Sequence, residues 1–419
     1  MRLSVKRLAL ITGILLLAGL AAFAWSHKKE IIKDYYGLRV ALLRREVLAQ
    51  ERRHIRNVPA HQILFELEWI YGKTGNYARV RERLAALNAA LKDSRNFDAV
   101  DEQSPADGSW GHWYTEWFFK LIATRDQVAS LAGRNELPKY PVRLLDRINS
   151  PEKLTAHLNA LLTSYREVDG VDRRWELNET ISDLMRLILR GQPANYPFHP
   201  ELKAALMDWL INTARNPETG YWGERYQRKG VLTKTNDISI TFHVVSYLNG
   251  QVPDWPKIID TTLAIKGVRL GWFVNGRYSN HDNVDVAELF RLGWKHASPS
   301  QRDAIRVEIQ QMLAWCLKQS LRPDGSFTVD QESIESSEYF GASFLARIGY
   351  FDRRLCFWSD QGFSRAAEDR ERIIRFIRAN YRSGGESGGY YRGALRQIGD
   401  DDVAQELESA SLAGGQRHE

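Results

Sequence analysis

Apolar residues recur at three- and four-residue spacing along most of this chain, with polar residues filling the positions between. Leu64, Leu67 and Ile70 share one face of His61 to Tyr71, and Val80, Leu84, Leu87 and Leu91 share one face of Tyr77 to Leu91. Further helices are predicted over Ile31–Arg53, Trp113–Val128, Pro151–Tyr165, Trp175–Leu189, Pro200–Thr213, Asp237–Leu248 and Trp255–Ala264. Others follow over Val284–Gly293, Ser300–Gln319, Ser337–Ile348, Arg365–Asn380 and Asp400–Ser409. Start signals support several of these, such as Pro200 at a first helical position and Ser298-Pro299-Ser300 before the next run. The alternation of Val and Ile that builds sheets is scarce, so the fold class is all-α.

A glycine–aromatic signature punctuates the helices. It reads Asp107-Gly108-Ser109-Trp110, Thr219-Gly220-Tyr221-Trp222, Asn275-Gly276-Arg277-Tyr278, Asp324-Gly325-Ser326-Phe327 and Gly388-Gly389-Tyr390-Tyr391. The glycines lie 112, 56, 49 and 63 residues apart, and Asp169-Gly170 divides the first gap into 62 and 50. That period fits helix pairs and exceeds tetratricopeptide or ankyrin repeats. No long Gly/Ser or Pro-rich linker interrupts residues 55–409, which read as one helical domain with inner and outer helices alternating around an axis. These turns and their period resemble the α/α toroid superfamily: six-hairpin glycosidases, polysaccharide lyases and terpenoid-cyclase-like proteins. Asp107 to Trp110 and Asp324 to Phe327 are similar to the glycine–aromatic part of the squalene cyclase repeat. The resemblance covers residues 100 to 395 and implies a cavity lined by the inner-helix starts and the loops before them. The upstream glutamine of the cyclase repeat is missing from most copies, and the Asp-x-Asp-Asp protonating motif is absent. Asp400-Asp401-Asp402 lies near the C-terminus and reads as a helix start.

The N-terminus breaks the amphipathic pattern. Leu8 to Trp25 is apolar and free of charge, preceded by Arg2, Lys6 and Arg7 and followed by His27, Lys28 and Lys29. Eighteen residues at about 1.5 Å each reach about 27 Å, enough for a single transmembrane helix. Residues 1–7 are then a cytoplasmic N-terminus, 8–25 an anchor, 26–54 a juxtamembrane helix, 55–409 an extracytoplasmic toroid domain and 410–419 a disordered tail. Ala22-Phe23-Ala24 keeps a cleaved signal peptide open as the alternative. Both readings place the rest of the chain outside the cytoplasm, the first at the cell membrane.

Composition adds little to this. The 419 residues are 43% hydrophobic, with 58 Lys and Arg against 52 Asp and Glu. Removing Arg2, Lys6 and Arg7 reduces the excess of 6 to 3, too small over this length to predict nucleic-acid binding. Cys316 and Cys356 form no CxxC and read as two separate buried thiols, with a single disulfide as the alternative. HExxH, the P-loop, GxSxG and the EF-hand loop are all absent, so no metal or cofactor is predicted.

Candidate chemistry gathers after the turns. Tyr278-Ser279-Asn280-His281-Asp282-Asn283-Val284-Asp285 is the richest polar cluster. His281 is a candidate base, Tyr278 a candidate acid, and Arg277 or Asn280 would steady a substrate carboxylate. Helix capping by Asp282 or Asn283 explains part of the same cluster. Asn236 and Asp237 open the helix that carries His243. Glu332, Glu335 and Glu338 form a third group, and glycosidases need two carboxyl groups about 5–5.5 Å apart for retention or 6.5–9.5 Å for inversion. Candidate pairs are Glu335 with Glu338, and Asp282 with Glu335 or Glu116. Trp110, Trp222 and Tyr339, with Trp113, Tyr114, Trp117, Tyr221 and Trp272, either stack on sugar rings or lock the turns.

The sequence therefore predicts a membrane-anchored protein acting on an envelope or exported polysaccharide by glycosidic hydrolysis, through Asp282, Glu335 and Asp237. A polysaccharide lyase using His281 or Tyr278 is the first alternative. A non-catalytic module binding glycans or another envelope protein is the second.

Overall fold

The structure, a computed structural model, describes residues 28–53, 55–97, 100–189, 191, 195–329, 333–381, 385–400 and 402–404. The anchor expected at 8–25, the flanking stretch 1–7 and the tail 410–419 lie outside these residues, as do Glu332 and most of the helix expected after Asp400. Among the described residues, no helix is long and apolar enough to cross a membrane.

The chain is mostly helical, as its periodicity requires. In order run α1 (Lys28–Arg52), α2 (Val58–Trp69), α3 (Tyr77–Lys92), α4 (Trp117–Gly133), α5 (Pro151–Leu162), α6 (Arg174–Leu184) and α7 (Leu202–Asp208). After them come α8 (Ile238–Tyr247), α9 (Trp255–Ala264), α10 (Asn280–Gly293), α11 (Pro299–Trp315), α12 (Ile334–Arg347), α13 (Ala366–Asn380) and α14 (Gly385–Gln397). Helices α2, α6, α7 and α11 each run on into a wider π-helical turn.

The chain divides into two compact units. The first takes in the residues up to Asn149 with Ser164–Asp183 and Gln192–Phe198; the second takes in Ser150–Thr163, Leu184–Gly191 and everything from His199. In the first unit α1, α2 and α3 enclose one core, built from Val40, Leu43 and Val47 of α1, Leu67 of α2, and Val80, Leu84 and Leu87 of α3. In the second, α8, α10, α12 and α14 pack side by side although a helix or loop separates each from the next in sequence. Helices α9 and α11 pack on each other in a second layer, with α9 also against α10. The helical content is that expected of an all-α chain.

Three of the glycine–aromatic turns have the same physical content. Gly108, Gly220 and Gly325 sit at φ of 68°, 74° and 96°, where a side chain is strained. Space is excluded as well: a Cβ on Gly325 would overlap the Arg372 carbonyl of α13, and one on Gly108 would overlap that of Pro141. Asp107 and Asp324 close identical turns, each accepting from the following serine's hydroxyl at 2.7 Å. The aromatic that follows is enclosed, and its backbone N–H is taken by a side chain of the helix ahead. Trp110 donates to Thr124 of α4 at 3.1 Å, Trp222 to Thr241 of α8 at 3.1 Å and Phe327 to Glu338 of α12 at 2.6 Å.

Three expectations are corrected. Gly388 to Tyr391 lies inside α14 and makes no turn, because four glycines did not prevent a helix whose Tyr391, Ala394 and Leu395 are buried. In the third copy the enclosed aromatic is Trp272, which donates to the Thr262 carbonyl of α9 at 2.8 Å; Asn275 to Tyr278 forms a further turn of the same loop. A β-hairpin also escaped the sequence reading, β1 (Arg225–Arg228) against β2 (Val231–Lys234), turning at Lys229 and Gly230 with φ of 49° and 77°. Cys316 and Cys356 are both free thiols, Cys316 buried.

Gly325→Ala should destabilise the second unit by about 2 kcal/mol or more, combining a strained φ with a backbone overlap. A urea midpoint within error of the parent would contradict this; Gly362→Ala, at an open position, should serve as the unperturbed control.

Candidate functional site

In the second unit, a groove of about 1020 Å³ opens beside the start of α10. One wall is aromatic. Phe273 and Tyr278 have ring centroids 4.5 Å apart, and Trp315 of α11 lies 5.9 Å from Tyr278. The wall is braced from behind by Lys266, whose ammonium lies 5.1–5.6 Å from the rings of Trp272, Phe273 and Tyr278 and pairs with Glu308 at 2.6 Å. Gln311, Gln319, Ser279 and Thr328 add neutral polar groups to the lining, and Arg277, Asp282 and Lys318 add charge. The loop that carries Phe273 is strained: Leu270, Phe273 and Asn275 all have positive φ, between 55° and 66°.

Three residues singled out from sequence thus meet in one groove: Arg277, Tyr278 and Asp282. Tyr278 is not a free acid, because its hydroxyl donates to Gln311 at 3.0 Å and accepts from Lys266 at 3.3 Å. It contributes a ring face. His281 stands next to the groove, Nδ1 3.7 Å from Asp282 and edge-on to Phe340 at 4.4 Å.

Other candidates are spent on structure. Helix α10 begins one turn earlier than its apolar pattern suggests, since Ser279 caps it by accepting from the Asp282 N–H at 3.0 Å. Asp282 and Asn283 are therefore not the cap. Asn280 is enclosed and ties α10 to the segment after α11, donating to the Thr328 carbonyl at 3.2 Å and accepting from Ser320 at 2.9 Å. Asp237 caps α8 and is wholly buried. Asn236 accepts from Thr219 at 2.9 Å within its turn. Trp110 and Trp222 are enclosed, so neither ring faces a ligand. Glu338 is committed to the Phe327 turn, and burial pushes its carboxyl up to about 8. Glu335 is half-buried on the first turn of α12, and no described contact joins it to Asp282. Tyr339 packs its ring 5.2 Å from Phe340 and 5.9 Å from Tyr390.

Behind the groove lies an unsatisfied polar pair. Asn283 and Asp285 of α10 are both buried, and none of their side-chain oxygens or nitrogens has a hydrogen-bond partner among the described residues. Burial pushes the Asp285 carboxyl up to about 7; His281 and Arg347 oppose the shift, and Asp282 and Asp237 add to it.

The first unit holds a second arrangement, which the sequence only touched through Glu116. A buried ion pair, Arg83 to Glu66 at 2.6 Å, sits beneath the start of α4. Burial raises Glu66 and lowers Arg83 in spite of their attraction, so the pair acts as a fixed anchor more than a source of stability. Glu66 accepts from the N–H groups of Thr115 at 3.1 Å and Glu116 at 2.9 Å, which fixes Glu116 and Trp117 at the head of α4. The Glu116 carboxylate is in turn held by two nitrogens of Arg79. Trp117 donates to the Leu144 carbonyl at 3.0 Å and lies under Arg147 at 5.3 Å. At the head of α6, Lys73 and Arg174 lie 4.1 Å and 4.3 Å from the Trp175 ring. Glu176 follows it. Burial, and next the negative charge of Glu116, push the Glu176 carboxyl up to about 7 against the pull of Arg147 and Arg173.

Sequence reasoning missed Glu176, Trp175, Trp315 and Lys318. Trp175-Glu176 opening a predicted helix was a visible signal, but nothing in the spacing ties it to Glu116, sixty residues earlier. Trp315 and Lys318 sit at the end of an ordinary amphipathic helix.

No protein-family model, no curated protein and no solved structure matches the chain.

Asp285→Asn should stabilise the protein near neutral pH. A carboxyl raised from about 3.9 unfolded to about 7 folded favours the native state fully below the lower value, and this support is lost as pH rises toward the upper. The melting temperature of the parent should fall across that window, and the variant should show a shallower fall with a higher value at pH 8. A variant that melts lower than the parent at pH 8 would mean that the carboxylate has a stabilising partner.

Proposed function

We propose that this protein binds a polysaccharide and hydrolyses a glycosidic linkage, with its helical body held outside the cytoplasm by residues 8–25. In this reading the alternating layers of the second unit are an arc of an α/α toroid. The observation that carries hydrolysis is the pair of carboxyl groups at the heads of α4 and α6. Glu116 is ion-paired with Arg79, while Glu176 is driven toward its protonated form, and Trp117 and Trp175 stand beside them. A carboxyl group held toward its protonated form, with a second, ion-paired carboxyl group near it, is what acid–base cleavage of an acetal requires. Glu176 is assigned as general acid, protonating the leaving oxygen. Glu116 is the base or nucleophile. This reading moves the chemistry away from Asp282, Glu335 and Asp237, since Asp282 is the one carboxylate among the described lining of the groove and Asp237 is enclosed.

A second reading has its own support. The groove lined by Phe273, Tyr278 and Trp315 together with the amides of Gln311 and Gln319 suits a sugar chain whether or not it is cut. Elimination has less support, because the Tyr278 hydroxyl is committed to Lys266 and Gln311.

Release of new reducing ends from a panel of neutral and acidic polysaccharides tests hydrolysis. Glu176→Gln should lower turnover by about 10²–10⁴-fold with binding retained, the usual contribution of a positioned acid. Parent activity should decline as pH rises through about 7, where the Glu176 proton is lost. Equal turnover in the parent, Glu176→Gln and Glu116→Gln would end the hydrolytic reading. Binding without any turnover, abolished by Trp315→Ala, would leave the glycan-binding module in its place.

A further inference from the structure

Helix α1 carries two apolar faces, and the first unit uses one. Val40, Leu43 and Val47 are buried against α2 and α3, with Tyr36 packed beside them. On the other side Ile31, Tyr35, Leu38 and Leu42 are 46%, 55%, 62% and 50% exposed. Their spacings of four, three and four residues are those of the d and a positions of a heptad, and they place all four side chains on one stripe of an α-helix. Scattered single apolar residues on a surface need no explanation, but a continuous stripe of four on one helix does.

We propose that this stripe pairs, in parallel and in register, with the same stripe of a second copy of the chain. Two observations select that occupant. The first is charge. With Ile31 and Leu38 at d and Tyr35 and Leu42 at a, Asp34 falls at g and Arg39 at the following e. In a parallel dimer each g residue meets the next e residue of the partner helix, so Asp34 faces Arg39 of the other copy in two symmetric pairs. Asp34 and Arg39 are both exposed and form no ion pair within the chain among the described residues. An antiparallel pairing would lose this match. The second observation is the chain that precedes α1. The charge-free run Leu8 to Trp25 ends six residues before Ile31. Two copies held in one membrane by that run would present their stripes at the same height and in the same direction. Under two heptads of seam bury less than the roughly 1,200 Å² of a stable free complex, so the local concentration imposed by a common anchor matters. The proposal rests on the anchor reading for its strength in the membrane, although the register and charge match do not.

Cysteine scanning in membranes from cells making the full chain tests this, in a background with Cys316→Ala and Cys356→Ala. Cysteines at 31, 35, 38 and 42, placed singly, should form covalent dimers under mild oxidation with yields at least ~5-fold above those at Lys33 and Arg44, which lie on the opposite side of the helix. Arg39→Asp should lower the Leu38→Cys dimer yield, and adding Asp34→Arg should restore it. Uniform yields around the helix, or no dimer at any position, would overturn the proposal, as would failure of the double charge exchange to restore pairing. Dimerisation of residues 1–27 alone, without the periodic pattern, would also overturn it. Alkaline extraction of the same membranes reports separately on the anchor: release of the protein there, with the cysteine periodicity intact, removes the anchor and leaves the dimer.

Discussion

The fold depends on one recurring contact, a backbone N–H at the end of a turn taken by a side chain of the helix ahead. Trp110 with Thr124, Trp222 with Thr241 and Phe327 with Glu338 are three instances of it. Each joins a loop to the helix that loop must deliver. The glycine two residues earlier lets the turn lie directly against another backbone, and the aromatic ring then fills the space behind it. A buried N–H left without a partner costs about 1–3 kcal/mol, so these three side chains are constrained in chemistry as well as in size. Glu338 fills in one turn the acceptor role that threonines fill in the other two, and burial pushes its carboxyl up to about 8.

This constraint decides which polar residues remain free for chemistry. The helix heads are crowded with Asp, Asn, Glu and Ser, and several of these are consumed in capping helices and closing turns. Asn280 bridges α10 to its neighbouring segment, Asp237 caps α8, and Glu338 closes a turn. What remains are groups one position further on or on a neighbouring element. Arg277 and Asp282 face the groove, and Glu116 and Glu176 face each other's fields at the heads of α4 and α6.

Burial acts on four carboxyl groups with four outcomes, decided by partners. Glu66 has Arg83 and three donors, and anchors the start of α4. Glu338 has a single backbone donor. Asp285 has no hydrogen-bond donor among the described residues and carries the penalty of burial with little compensation. Glu176 is half-buried and shares its surroundings with another acid and two arginines. The same desolvation that makes Asp285 a cost to stability at neutral pH also raises the Glu176 carboxyl.

The sequence determined the helices, because a 3.6-residue apolar period is a local property that survives whatever the helix packs against. Helix α9, Trp255–Ala264, was legible to the residue, and α5, α8, α11 and α13 to within a turn. The glycine turns were legible for the same reason: a positive φ beside a bulky ring is written in adjacent residues. Two elements were not. Helix α14 hid behind its glycines, since only burial of Tyr391, Ala394 and Leu395 gives it a reason to form. The hairpin at Lys229-Gly230 has one face of ordinary polar residues and no alternating core pattern. The tertiary structure alone decided the sites. Whether Asp282 meets Trp315, or Glu116 alters the charge of Glu176, depends on contacts between residues thirty to sixty positions apart, and no local pattern encodes that distance.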